Sequence, residues 1–313
     1  MTDEERFPAI PYDEWRDTLA TLHRFAQVVG KVRLSASPRR NHWWNVPFHL
    51  TGRGITTRPM GDVPIFAIDF DFLDHRLEIA TTAGPRHSFP LAGQSVAAFS
   101  GRLARGLEAL GIDVPVSGLR PFDLPDADRP FAEDTEHASY DPAAVTRYWR
   151  VLSRVNLLLE EFAGRWSGKT SPVHHFWHTF DVALTRFSDR TVDHPEGVDA
   201  VTREAYSHEV ISSGFWFGDD TFPAPAFYSY TAPEPDGLAD EPLLPSVAAW
   251  EPRRGSHLAV LRYDDVRTLP DPRGAVLDFY QSAYEAGARR AGWDPGRHTA
   301  AAAARDPGAH RVS

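Results

Sequence analysis

Apolar residues recur along this chain with two periods, one near 3.6 and one of 2, and the switches between them predict the order of its elements. Trp15, Leu19, Leu22, Phe25 and Val29 share a helical face, so residues 13–29 read as an amphipathic helix, ended by the turn-like SASPRRN. His42, Trp44, Val46, Phe48 and Leu50 alternate with Trp43, Asn45 and His49 and predict a strand over 42–50, broken at Gly52 and Gly54. Residues 65–73 and 76–80 read as strands turning at Asp74-His75, with a short one following over 87–91. Consecutive short strands imply antiparallel pairing. Val96, Phe99, Leu103, Leu107 and Leu110 then form the stripe of a helix over 95–110, stopped by Gly111.

Between Asp113 and Asp141 the chain is rich in proline and acid without a sustained period, which reads as a connection, and beyond it the order restarts. Asp141-Pro142 opens a long helix with the stripe Val145, Tyr148, Leu152, Val155, Leu159 and Phe162. The stretch SPVHHFWHTFDVALTRFSDR, residues 171–190, reads as one extended strand. Phe176, Phe180, Val182 and Leu184 share one face, and Trp177, Thr179, Asp181 and Thr185 the other. Strands over 204–217, 226–231 and 257–263 and a helix over 273–291 follow.

A single offset lays Ser37, Pro38, Trp43, Leu50 and Thr51 over Ser171, Pro172, Trp177, Leu184 and Thr185. The expected fold is therefore α+β: two divergent helix–antiparallel sheet–helix repeats packed as one unit, over 1–113 and 141–294, with 114–140 as the connection. Trp43 and Trp177 would be equivalent. The irregular, acidic 232–256 reads as a lid, and 295–313 as a flexible tail.

Composition narrows the chemistry. The chain has 313 residues and no cysteine, so disulfides, thiolate metal sites and thiol nucleophiles are excluded. Its net charge of −10 opposes binding to a phosphate backbone, and it has no basic run longer than Pro38-Arg39-Arg40 or Arg289-Arg290. Nucleic acid is not an expected partner. No apolar run approaches the roughly 20 residues of a membrane span, and MTDEERFPAI lacks the features of a signal peptide, so the expectation is a cytoplasmic protein that does not engage membranes.

The stretches NHWWNVPFHLTGRG, SPVHHFW with FDVALTRFSDR, EAYSHEV with its following GFW, and PAFYSYTAPEP resemble, along nearly the whole chain, an uncharacterised bacterial family known as domain of unknown function five-nine-nine-six. The resemblance implies no activity, cofactor or catalytic residue. His175 and His178 depart from that pattern, where the family tends to carry Phe and Gly.

His174, His175 and His178, with His208-Glu209, have the composition of a non-thiolate metal site. On a strand, however, His174 and His178 would stand roughly 13 Å apart with His175 facing the other way, so no metal is expected. Ser167-Gly168-Lys169-Thr170 ends like a phosphate loop but has Ala163 where its first glycine belongs, and His208-Glu209 lacks the second histidine of a zincin. No motif identifies a cofactor. What remains is a polar cluster on adjacent expected strands. Arg186, His208 and Glu209 are its candidate catalytic groups, and Trp177, Asp181 and Tyr206 its candidate ligand contacts. The favoured reading is a small-molecule-binding protein, enzyme or not, with a polar pocket on the second repeat. The competing one is a non-enzymatic scaffold binding a protein through its aromatic surface.

Overall fold

The stripe read on the first helix is buried along its whole length in the computed structural model, which describes residues 6–116, 118–253 and 255–294. Helix α1 (Tyr12–Ala36) runs longer than its apolar pattern, because Thr18, Thr21, Arg24, Gln27 and Arg33 are buried beside the stripe. Five strands follow: β1 (His49–Leu50), β2 (Gly54–Thr56), β3 (Phe66–Asp71), β4 (Arg76–Thr81) and β5 (Arg86–Pro90). They form an antiparallel meander in sequence order. The alternating burial of β3 follows from Phe66, Ile68 and Phe70 facing one side. Helix α2 (Val96–Ala109) starts at Ser95, whose hydroxyl accepts from the Ala98 amide. Phe25 of α1 and Phe99 of α2 stack with centroids 4.0 Å apart.

Helix α3 (Pro142–Ala163) opens the second half. It is followed by β6 (His174–His175), β7 (Val182–Thr191), the short helix α4 (Ala200–Ala205), β8 (His208–Trp216) and β9 (Ala226–Ala232). Strands β10 (Ala249–Arg253) and β11 (Ser256–Arg262), then helices α5 (Tyr263–Arg267) and α6 (Pro272–Arg290), complete the chain. The second sheet has the order β10-β11-β9-β8-β7-β6. The fold is α+β, as expected.

The chain divides into two compact units. The first comprises Met1–Asn156, Val173–Ala183 and Phe215–Ala226, and the second Leu157–Pro172, Leu184–Gly214 and Phe227–Ser313. The first is cored by Phe25, Phe48, Phe70, Phe72, Phe99 and Tyr148, the second by Phe162, Phe227, Tyr263 and Tyr280. Removing each such ring from water stabilises the fold by roughly 1.5–3 kcal/mol.

Several expectations are corrected. Residues 171–190 are a hairpin, not one strand: Phe176 N–H donates to the Asp181 carbonyl (2.9 Å) and Phe180 takes a left-handed φ of 60°. Trp177 therefore lies on a turn. Residues 42–50 are not one strand either, since Asn41–Trp43 is a 3-10 turn with left-handed φ at His42 (54°) and Trp43 (59°), and only Phe48, His49 and Leu50 at its end pair with other strands. The two halves expected to repeat carry five strands and then six, and Trp43 and Trp177, expected to be equivalent, occupy different local structures.

The 232–256 segment holds β10 and a 3-10 turn over Leu238–Asp240 rather than an irregular lid. It is fastened to α6, because Glu241 pairs with Arg289 and with Arg290 Nε (2.6 Å), while Leu244 N–H donates to Ser282 Oγ (2.9 Å). The tail expected over 295–313 lies outside the described residues.

Candidate functional site

Of the candidates named from the sequence, Arg186, Tyr206, His208 and Glu209 belong to the second unit, and Trp177 and Asp181 to the first. Arg186 and Glu209 are not matched to one another. The Arg186 guanidinium is 2% exposed, donates to the Phe162 carbonyl (2.6 Å), and stands 3.7, 4.5 and 5.4 Å from the Phe162, Tyr284 and Trp166 rings. Burial pushes its pKa down to about 10. Glu209 instead pairs with Arg190 (2.8 Å) and accepts from Trp293 Nε1 (2.7 Å) and Ser188 Oγ (3.1 Å). His208 Nδ1 lies 3.3 Å from Ser207 Oγ, and the Tyr206 and Tyr230 hydroxyls are bonded at 3.0 Å. Apart from Arg186 Nε, which is buried without an acceptor, these groups are held by neighbours, which is what fastening of strands looks like.

In the first unit, Trp177 is 5% exposed and lies on Gly30 of α1, where an added Cβ would stand 2.1 Å from its Cγ. Lys31 Nζ is 5.7 Å from its ring. Asp181 takes a hydrogen bond from the Thr179 hydroxyl. The neighbouring histidines part company. His175 Nε2 and the Tyr148 hydroxyl are bonded at 2.6 Å inside the core, His178 sits against Phe122 and Phe176, and His174 faces the opposite side of β6.

That opposite side joins His174, weighed from the sequence only as a metal ligand, to residues that the sequence reading did not single out as a site. Phe48 and His175 exchange backbone hydrogen bonds (2.8 and 3.0 Å), which brings β1 beside β6 and sets the His49 and His174 rings 5.3 Å apart. The edge of Trp44 meets His174 at 6.2 Å. Both imidazoles are buried, at 5% and 1% exposure, and His49 Nε2 and both ring nitrogens of His174 lack a hydrogen-bond partner. Arg33, in the last turn of α1, is also buried. Its guanidinium has no carboxylate partner or hydrogen-bond acceptor among the described residues, and Nε is fully enclosed. Exposed Arg40 and Arg58 act on the same groups, Arg58 from a left-handed φ of 60°.

The electrostatics are consistent throughout the set. Burial, and then the nearby Arg58, push the His49 and His174 pKa values down to about 3, and Arg33 and Arg40 act in the same direction. Arg33 is itself lowered to about 10 by burial and by Arg58 and Arg40. Both imidazoles are neutral near pH 7 and too weakly basic to act as general bases there, so the set is suited to holding an anion rather than moving a proton. Three guanidinium groups beside them also repel a metal cation. Unpaired buried polar groups are costly, as is left-handed backbone at residues other than glycine, and both concentrate at functional sites.

One signal for this cluster was present in the sequence. The stripe Leu19, Leu22, Ala26, Val29 continues by a four-residue step to Arg33, so a charge occupies a position that the helix buries. The backbone strain at His42, Trp43 and Arg58 left no mark in residue type.

A second charged cluster in the first unit is matched in charge, although Arg129 Nε is buried without an acceptor. Arg24 bonds Asp126 (2.5 Å), Arg129 bonds Asp126 (2.9 Å) and Glu136 (3.0 Å), and His137 Nδ1 reaches Asp134 (2.9 Å). Asp126, Asp134 and His137 offer ligand atoms within 4.8 Å of one another, yet their charge is matched by the two arginines.

The fold is α+β with two antiparallel sheets, and its first unit holds a buried arginine beside two buried imidazoles, with no carboxylate paired to that arginine among the described residues. Residues 7–300 match the family described as "Family of unknown function (DUF5996)", and the chain belongs to that family. No curated protein and no solved structure gives a significant match. No helix among the described residues is long and apolar enough to cross a membrane.

Proposed function

We propose that this protein binds a small anionic molecule in its first unit, with buried Arg33 as the central cation, His49 and His174 as neutral donors, and the exposed Arg40 and Arg58 adding charge. The carrying observation is the Arg33 guanidinium, 4% exposed and without a counter-charge among the described residues. Taking a cation out of water costs several kcal/mol unless it is paired, and a ligand anion is the missing partner. This keeps the small-molecule reading of the sequence but moves the site away from Arg186, His208 and Glu209. A protein-binding scaffold explains the aromatic content without explaining unpaired donors beneath the surface.

The test is Arg33→Met, which preserves bulk and removes charge. Without ligand, its urea midpoint is expected at or above that of the parent, a gain of about 1 kcal/mol, because sites sacrifice stability for function. Anions are expected to raise the Tm of the parent, and that rise is expected to vanish in the variant. A variant that loses stability and keeps the anion response overturns the reading.

A further inference from the structure

We infer that the anion is a phosphate group, free or as a small monoester, and not a monocarboxylate. The inference rests on the anion-binding reading above and adds the ligand's class.

Charge decides first. Arg33, Arg40 and Arg58 all bear on His49 and His174, and no carboxylate figures among the largest charge effects on these three central groups, Arg33 and the two histidines. The imidazoles being neutral, the set carries three positive charges. A monocarboxylate would leave two uncompensated beside buried groups, whereas a phosphate monoester, with about −1.5 to −2 charges near pH 7, removes most of the excess.

Donor count agrees. The unpartnered buried nitrogens belong to three separate segments: Arg33 Nε on α1, His49 Nε2 on β1, and the His174 ring on β6. A carboxylate presents two oxygens. A phosphate monoester presents three terminal oxygens, and guanidinium forks match them in pairs. Arg33 also lies in the last turn of α1, where the helix carbonyls favour a cation, which helps to explain how the empty site tolerates it.

The experiment is isothermal titration of the full chain at pH 7.5 and constant ionic strength, in a chloride buffer, with inorganic phosphate, methyl phosphate and acetate. At least one of the two phosphates is expected to bind 10-fold or more tighter than acetate. Arg58→Gln, an exposed position that leaves the fold intact, is expected to weaken it at least 10-fold, and His174→Gln likewise. Tighter methyl phosphate assigns a monoester, and tighter inorganic phosphate the free ion. If acetate binds as tightly as phosphate and both are lost in Arg33→Met, the phosphate assignment falls while the anion site stands. If nothing binds, or binding survives in all three variants, both fall.

Discussion

Gly30 and Trp177 show how a single side chain can depend on the absence of another. The indole lies where a Cβ on residue 30 would stand, 2.1 Å from Cγ, so Gly30→Ala must displace the ring or bend α1. The expected cost is about 1–3 kcal/mol, typical of overpacking, with a shift in tryptophan emission. An unchanged urea midpoint and spectrum would contradict the packing. From the sequence, Trp177 reads as a ligand contact because it is assigned to the polar face of a strand, and the glycine beneath it falls just past the helix read over 13–29. Arg33 was legible in principle, since it continues an apolar stripe. The left-handed His42, Trp43 and Arg58 were not, because neither histidine, tryptophan nor arginine advertises that backbone as glycine does.

At the scale of elements, long periodic segments were readable and short ones were not. The stripes of α1, α2 and α3 give several turns of evidence each, and β3 and β4 alternate cleanly around a tight turn. Strands β1 and β6 have two residues each, too few to display a period, and their positions are set by the Phe48–His175 bridge between segments far apart in sequence. The alternation across 171–190 continues through a turn whose rings are themselves largely buried, which hides the hairpin from any pattern-based reading. Strand β7 is fastened within the second unit by Arg186, whose planar group lies against Phe162 while donating to its carbonyl. Lysine keeps the charge but can neither stack nor fork. Arg186→Lys is accordingly expected to lower stability by about 2 kcal/mol by urea unfolding. Stability equal to the parent's would mean that the aromatic cage does not hold the strand.

Over the whole molecule, buried neutral histidines set the response to acid. His49, His174 and His175 have folded pKa values near 3, all lowered first by burial, against 6.5 unfolded, and His23 is lowered to about 4. Above the unfolded value these groups have no effect on stability. As pH falls below it, the unfolded chain takes up protons that the folded chain refuses, so stability is lost from about pH 6.5 downward. At about pH 5 each of the first three costs about 2 kcal/mol, roughly 6 kcal/mol together, comparable to the 5–15 kcal/mol of a typical domain. Circular dichroism across a pH series is expected to show unfolding near pH 5, and a chain still folded at pH 4 with an unshifted urea midpoint would refute this. The same molecule carries a net charge of −10 and, locally, three arginines around two imidazoles. Electrostatic influence fades over about 8 Å at physiological salt, so a small ion arriving at Arg58 and Arg40 responds to those cations alone. A long polyanion laid across the surface would also meet the acidic remainder. If the proposed site holds an anion, this distribution of charge is expected to sort anions by their size, favouring small ones over polymers that carry the same chemical group.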